Sequence, residues 1–66
     1  SDINAIVTDM TMCLDRLSPE YKQILILNRI EQLDYTEIAQ ILQLPIGTVR
    51  SRLNRAKINL RVLLNQ

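Results

Sequence analysis

The sequence predicts an all-α domain of four helices. Apolar residues recur at steps of three and four almost throughout the 66 residues, which is helical spacing. One glycine and two prolines leave little room for hairpin turns. The chain is 47% hydrophobic and contains two tyrosines but no Phe or Trp, so the core must be built from aliphatic side chains. A single domain of this length is near the lower limit for a self-sufficient core.

The first predicted helix covers residues 3–16. Its apolar residues form one stripe, with acidic residues elsewhere on the surface. The stripe consists of Ile3, Ile6, Val7, Met10, Leu14 and Leu17. Cys13 is the single cysteine, so no internal disulfide can form, and we expect its side chain to fill the core.

The second predicted helix covers residues 19–31. Ser18 followed by Pro19 is typical of a helix start, because a capping residue precedes a proline whose missing N–H costs nothing there. The run 24–27, together with Ile30, is apolar around more than one face of this helix. The helix is therefore expected either to contact a partner or to be unusually well buried.

The third and fourth predicted helices cover residues 36–42 and 45–64 and are joined by a tight turn. Asp34 and Glu37 have the spacing of a capping box, and Pro45 is placed to open the last helix. A short helix, a tight turn and a second helix with a basic outer face form a helix-turn-helix, without winged elements. The predicted core stripe of the last helix is Val49, Leu53, Ala56, Leu60, Leu63 and Leu64.

The net charge of +1 conceals an uneven distribution of charge along the chain. Residues 1–37 contain seven acidic and three basic residues, a net charge of −4, whereas residues 38–66 contain five basic and no acidic residues, a net charge of +5. Solvated helix faces usually mix both signs. The acid-free half therefore predicts a binding surface for a polyanion.

Three segments closely resemble region 4 of bacterial RNA polymerase sigma factors of the extracytoplasmic-function (ECF) class. They are LSPEYKQILIL from Leu17, LDYTEIAQIL from Leu33 and LPIGTVRSRLNRAK from Leu44. The resemblance extends to about Leu64, and the string P-x-G-T-V-[KR]-S-R-L-x-R-A is specific. One departure is Gln43, where the family usually has glycine in the turn. A positive φ angle at that residue is expected to be strained but tolerable.

The resemblance implies that residues 1–66 are one domain of a longer, cytoplasmic bacterial sigma factor whose region 2 acts at the minus-10 element. It implies binding of this domain to the minus-35 element of double-stranded promoter DNA in transcription initiation. It also implies docking to the β-flap of the RNA polymerase core, and binding of an anti-sigma factor. The residues that match DNA-contacting positions of the family are Arg50, Ser51, Asn54 and Arg55.

Additional contacts to the DNA backbone are expected around these four residues. Gly47 lies in the first turn of the last helix, where a missing Cβ lets a phosphate come close. With Leu44 as the predicted N-cap, the N–H groups of residues 46–48 would be free for an anion. The other predicted backbone contacts are Thr48, Lys57, Tyr35 and Thr36. Arg52 is instead expected to pair with Glu37 or another acid of the third helix.

The sequence does not predict an enzyme, because it contains no His, no glycine-rich phosphate loop and no nucleophile paired with a base. We expect no cofactor, no metal site, no small-molecule substrate and no insertion into a membrane. Two alternative functions stay open. The first is the DNA-binding domain of a LuxR-type response regulator, which shares the GTV string. The second is a protein-interaction module that serves only polymerase or an anti-sigma factor.

Overall fold

The computed structural model describes residues 2–66, with side chains from Ile3 onward. Its α-helices are α1 (Asp2–Arg16), α2 (Pro19–Leu25), α3 (Tyr35–Leu42) and α4 (Ile46–Leu64). A π-helical segment, Ile26–Ile30, continues α2. No strand occurs within residues 2–66. The all-α prediction is therefore confirmed.

The π-helical segment interrupts the second predicted helix, which was expected to run regularly to Glu31. The N–H of Glu31 donates to the carbonyl of Ile26 at 3.0 Å, and the N–H of Leu33 donates to the carbonyl of Leu27 at 3.1 Å. Each bond spans more residues than an α-helical bond, so the turn is widened. Gln32 then ends the segment with a left-handed backbone, at φ 59°.

The core lies where α2, α3 and α4 meet, with the end of α1 closing one side. Its fully buried residues are aliphatic, as the composition predicted: Ile24, Ile38, Val49, Leu53 and Ala56 are each 0% exposed. Leu17, Leu25 and Cys13 complete the buried set. The cysteine is thus a core residue, as expected.

Two predicted apolar stripes are only partly buried. In α1 the stripe is buried only toward its end, whereas Ile3 is 75% exposed and Val7 is 57% exposed. In α4 the stripe reaches Leu63, but Leu64 is 45% exposed, so its assignment to the core was wrong. Periodicity identifies residues on one face of a helix. It does not show how far the neighbouring helices extend along that face.

The helix-turn-helix is formed by α3, α4 and the turn between them. The Asp34 carboxylate accepts from the Glu37 N–H at 2.8 Å, and the Glu37 carboxylate accepts from the Asp34 N–H at 3.1 Å, so the capping box is present. Gln43 ends α3 with φ 56°, in the left-handed region. The N–H groups of Gln43 and Leu44 both donate to the carbonyl of Ala39. This arrangement directs the chain into α4.

Within residues 2–66, no helix has the combination of length and hydropathy that crossing a bilayer requires.

Replacement of Gln43 by glycine is expected to stabilise the domain. Glycine adopts a left-handed backbone without the steric cost that a side chain adds, so Gln43→Gly should raise the free energy of unfolding by about 1 kcal/mol. In a domain of this size that shift raises Tm by about 4–8 °C in thermal unfolding followed by circular dichroism.

The matched control is Gln40→Gly, at an exposed position within α3. Glycine inside a helix costs about 1 kcal/mol, so this variant should lower Tm. A lower Tm for Gln43→Gly as well would contradict the assigned turn.

Candidate nucleic-acid interface

One side of α4 faces the core and the opposite side faces solvent. Val49, Leu53 and Ala56 are buried, whereas the opposite side is exposed. Ile46 is exposed at the first position of α4, and the exposed residues that follow it in the first part of the helix are Gly47, Arg50, Ser51, Asn54 and Arg55. We call these five residues the outer face of α4. At the helical repeat they span about 140° of arc, so the structure brings the predicted base-reading residues together on one surface.

The other predicted DNA contacts surround this outer face. Thr48 and Lys57 are half-buried on either flank of α4, where the outer face meets the core. Thr36 is exposed and Tyr35 is half-buried at the start of α3. Their side chains lie beside the outer face rather than within it, which places them nearer to a backbone than to base edges of a bound duplex.

Arg50 contacts Tyr35 across the helix-turn-helix. The guanidinium carbon lies 5.9 Å from the centroid of the tyrosine ring, within the range of a cation–π interaction. Sequence reasoning placed both residues near DNA but missed this contact. The sequence feature that pointed to this contact was Tyr35, one of only two aromatic residues in the chain, at the start of the helix before the basic helix. The sequence alone does not give the distance between the tyrosine ring and the guanidinium group.

The hydroxyl of Ser51 is engaged within α4. Its Oγ donates to the carbonyl of Thr48 at 3.2 Å. The residue is exposed, and the hydroxyl oxygen keeps lone pairs that are able to accept from a base amino group. Ser51 is therefore oriented as an acceptor on the outer face.

No side chain caps the start of α4, as predicted, but the N-cap residue differs from the predicted one. Pro45 is the N-cap, not Leu44, and α4 begins at Ile46. The Pro45 carbonyl accepts from the Thr48 N–H at 3.0 Å, so the prediction that this N–H is free was wrong. The amides of Ile46 and Gly47 remain at the exposed first turn, which contains no acidic residue.

Gly47 lies in open space. A Cβ built on this residue would have no heavy atom within 4 Å, apart from its immediate chain neighbours and the backbone of its own helix. Packing within the chain therefore does not require glycine here. The open space leaves room for a group from outside, such as a phosphate attracted by the positive end of the helix dipole.

The start of α3, unlike the start of α4, carries acidic side chains. Its capping box places the carboxylates of Asp34 and Glu37 on the first-turn amides, where they already interact with the helix dipole. An anion is thus favoured at the start of α4 and disfavoured at the start of α3. A phosphate near Thr36 would have to bind through the side-chain hydroxyl.

The expected ion pair between Arg52 and Glu37 is absent. Arg52 is half-buried at the core edge, as predicted. The Glu37 carboxylate is held by the N–H of Asp34, which explains why it does not reach across. Among the side chains of residues 3–66, the ion pair that forms joins Lys22 Nζ to Asp15 Oδ1 at 2.6 Å.

Comparison with known proteins places this helix-turn-helix in a family. A family model described as sigma-70, region 4 matches residues 8–60. The chain belongs to the sigma-70 region 4 family. The predicted resemblance is confirmed, and recognition of the minus-35 promoter element in transcription initiation is the function that this family supports.

Three curated relatives of this region 4 domain are sigma factors of the ECF class. The chain is 43% identical over 53 residues to the ECF RNA polymerase sigma factor SigE of Mycolicibacterium smegmatis, which is 80% of the chain and 21% of that protein. It is 37% identical over 46 residues to ECF RNA polymerase sigma factor SigW of Bacillus subtilis, 70% of the chain and 25% of that protein. It is 39% identical over 57 residues to the ECF RNA polymerase sigma-E factor of Haemophilus influenzae, 86% of the chain and 29% of that protein. The chain thus spans less than a third of each relative.

Replacement of Gly47 by alanine is expected to change stability and DNA binding in opposite directions. Alanine is favoured over glycine within a helix, so Gly47→Ala should raise the free energy of unfolding by about 0.5–1 kcal/mol. The added methyl group occupies the space left for a phosphate, so duplex binding should weaken by up to about tenfold, the equivalent of one lost charge-assisted hydrogen bond.

Thermal unfolding and fluorescence anisotropy with a duplex selected by the chain measure the two effects. Asn59→Ala is the control, because it improves helix propensity at an exposed position beyond the outer face and should leave DNA binding unchanged. Unchanged binding by Gly47→Ala would show that no phosphate approaches this residue.

Proposed function

We propose that this region 4 domain reads the minus-35 promoter element by placing the outer face of α4 in the major groove. The observation that carries the proposal is the division of α4 into a fully buried side and an exposed side of arginine, asparagine and serine side chains. The major groove is about 12 Å wide and admits one α-helix. The first turns of such a helix reach the base edges.

Four residues of the outer face are proposed to read bases. Arg50 and Arg55 carry guanidinium groups that donate two parallel hydrogen bonds to O6 and N7 of guanine. Asn54 has the amide that pairs with N6 and N7 of adenine, and Ser51, whose hydroxyl hydrogen is donated to the Thr48 carbonyl, accepts a single bond. All four are exposed in the domain, so no rearrangement of the core is needed for binding.

Phosphate contacts are proposed to set the depth and angle of α4 in the groove. The uncapped first turn at Gly47 is the main contact, supported by Thr48 on the same turn. Lys57 is half-buried, so its aliphatic stem lies along the core edge while its ammonium group reaches solvent. Tyr35, whose ring contacts Arg50, and Thr36 provide hydroxyl groups from the start of α3.

The domain alone is expected to bind DNA weakly. A single DNA-binding module buries only about 600–1,000 Å² of protein surface. If four cations neutralise phosphates, affinity should fall with salt at a logarithmic slope of about −3.6. Attachment to a longer sigma factor and to polymerase would raise the effective concentration of the domain at the promoter.

An apolar surface away from α4's outer face supports docking to proteins. A groove is lined by Met10, Leu14, Ile26, Ile30 and Leu60, among others. Ile30 is 63% exposed at its edge, and the exposed stripe of α1 continues from Met10. Contiguous exposed apolar surface is typical of protein interaction sites. We propose that this apolar surface binds the β-flap of the polymerase core and an anti-sigma factor. The domain would then bind proteins through this surface and DNA through the outer face of α4.

Selection of bound duplexes from a random pool tests the proposed function. One helix-turn-helix places one recognition helix in the groove, so the selected sequences should share a single asymmetric motif. A palindromic motif would indicate a dimeric reader of the LuxR type. If neither the chain nor the intact sigma factor with polymerase selects any motif, the domain would be a protein-interaction module that does not read DNA.

Replacement of Arg55 by glutamine is expected to remove preference at one base pair of the selected motif. The loss should be about 1–3 kcal/mol of discrimination, measured by competition between the selected duplex and single-base variants. Arg61→Gln is the control, because Arg61 is an exposed cation on the same helix, beyond the outer face. Equal effects of both substitutions on base preference would contradict base reading by Arg55.

A further inference from the structure

The neighbour of the Arg50 guanidinium is an aromatic ring and not a carboxylate. The ring of Tyr35 lies 5.9 Å from the guanidinium carbon. Residues 38–66 contain no acidic residue, so α4 itself offers no ion-pair partner. The carboxylates at the start of α3, on Asp34 and Glu37, are held by backbone N–H groups of the capping box. The ring is therefore the contact that restrains this exposed arginine.

Tyr35 is itself held in place by the fold. It is the first residue of α3, directly after the capping residue Asp34, and its half-buried side chain packs against the hydrophobic core. The position of the ring relative to α4 is thus determined by core packing. The ring therefore already stands beside Arg50 in the free domain.

We propose that Tyr35 is a positioning residue that holds the guanidinium of Arg50 ready to read one base pair. A guanidinium over an aromatic face keeps its N–H edge free to donate, whereas an unrestrained arginine loses rotamer freedom when it binds. The bidentate contact to guanine depends on the orientation of that edge. The inference rests on the proposed function, because it assigns a second residue to base reading by Arg50.

This role differs from the backbone contact predicted for Tyr35. A backbone contact uses the phenol hydroxyl and strengthens binding to every sequence equally. Positioning uses the ring and changes the preference between sequences. Tyr35→Phe keeps the ring and removes the hydroxyl, whereas Tyr35→Leu removes both and keeps an apolar side chain against the core. The two variants therefore separate the two roles.

The test measures base discrimination by the chain with fluorescence anisotropy. Arg50→Ala first identifies the base pair of the selected motif whose preference Arg50 supplies. Discrimination is then the ratio of affinities for the selected duplex and a duplex changed at that pair. Because both affinities come from one protein sample, a partly unfolded variant does not alter the ratio.

Tyr35→Leu is expected to lower this ratio by about two- to fivefold, the size of an exposed cation–π interaction. Tyr35→Phe should keep the ratio of the unsubstituted chain. The ratio at the pair read by Arg55 should stay unchanged in both variants. In a chain that already carries Arg50→Ala, Tyr35→Leu should have no additional effect on the ratio.

The outcomes distinguish failure of this inference from failure of the proposed function. If Tyr35→Leu weakens both duplexes by one factor, or if Arg50→Ala alters no base preference, the positioning role is overturned while promoter reading by other residues stands. If the unsubstituted chain shows no preference at any base pair, the proposed function itself fails. A ratio lowered equally by Tyr35→Phe and Tyr35→Leu would also overturn the role of the ring.

Discussion

The proposed DNA-binding surface depends on the burial of one side of α4 against α2 and α3. Val49, Leu53 and Ala56 are fully buried there, together with Ile24 and Ile38. Burial of each large aliphatic side chain contributes about 1.5–3 kcal/mol, a large fraction of the stability of a small domain. A rotation of α4 by one residue would turn it by about 100° and bring charged side chains into the core. The aliphatic packing thereby determines which side chains of α4 are exposed on its outer face.

The starts of the two helices in the helix-turn-helix differ in charge, and this difference orients the domain on a polyanion. Carboxylates of Asp34 and Glu37 occupy the start of α3. The start of α4 has a proline as its N-cap and no acidic residue in its first turn. The helix dipole therefore favours a polyanion at the first turn of α4, whereas the start of α3 offers a phosphate only the side-chain hydroxyls of Tyr35 and Thr36. The acidic residues of the chain all lie before α4, which extends the same asymmetry to the whole domain.

Much of the fold could be predicted from the sequence because strong local signals agree with one another. The capping box, the turn at Gln43 and the spacing of apolar residues all indicated a helix-turn-helix. The outer face of α4 followed from the same periodicity, since a helix that buries Val49 and Leu53 must expose Arg50 and Asn54. The family motif added the identity of the duplex element that the domain is proposed to read.

Other features had no local signal. The widened turn at 26–30 arises from bonds between backbone groups, and a run of Ile and Leu does not reveal it. The length of α1 left exposed depends on where the other helices end. The expected pair of Arg52 with Glu37 failed because the carboxylate has a competing backbone donor. The contact of Arg50 with Tyr35 joins two helices, and its distance follows only from their crossing.

Insertion of α4 into a duplex groove can be tested by titrating the isotopically labelled chain with a selected duplex and following the amide chemical shifts. The largest shift changes are expected on residues 46–55 and at Tyr35, with α1 and Ile30 unaffected. The largest changes on α1 and the 26–30 segment, with residues 46–55 unchanged, would contradict it.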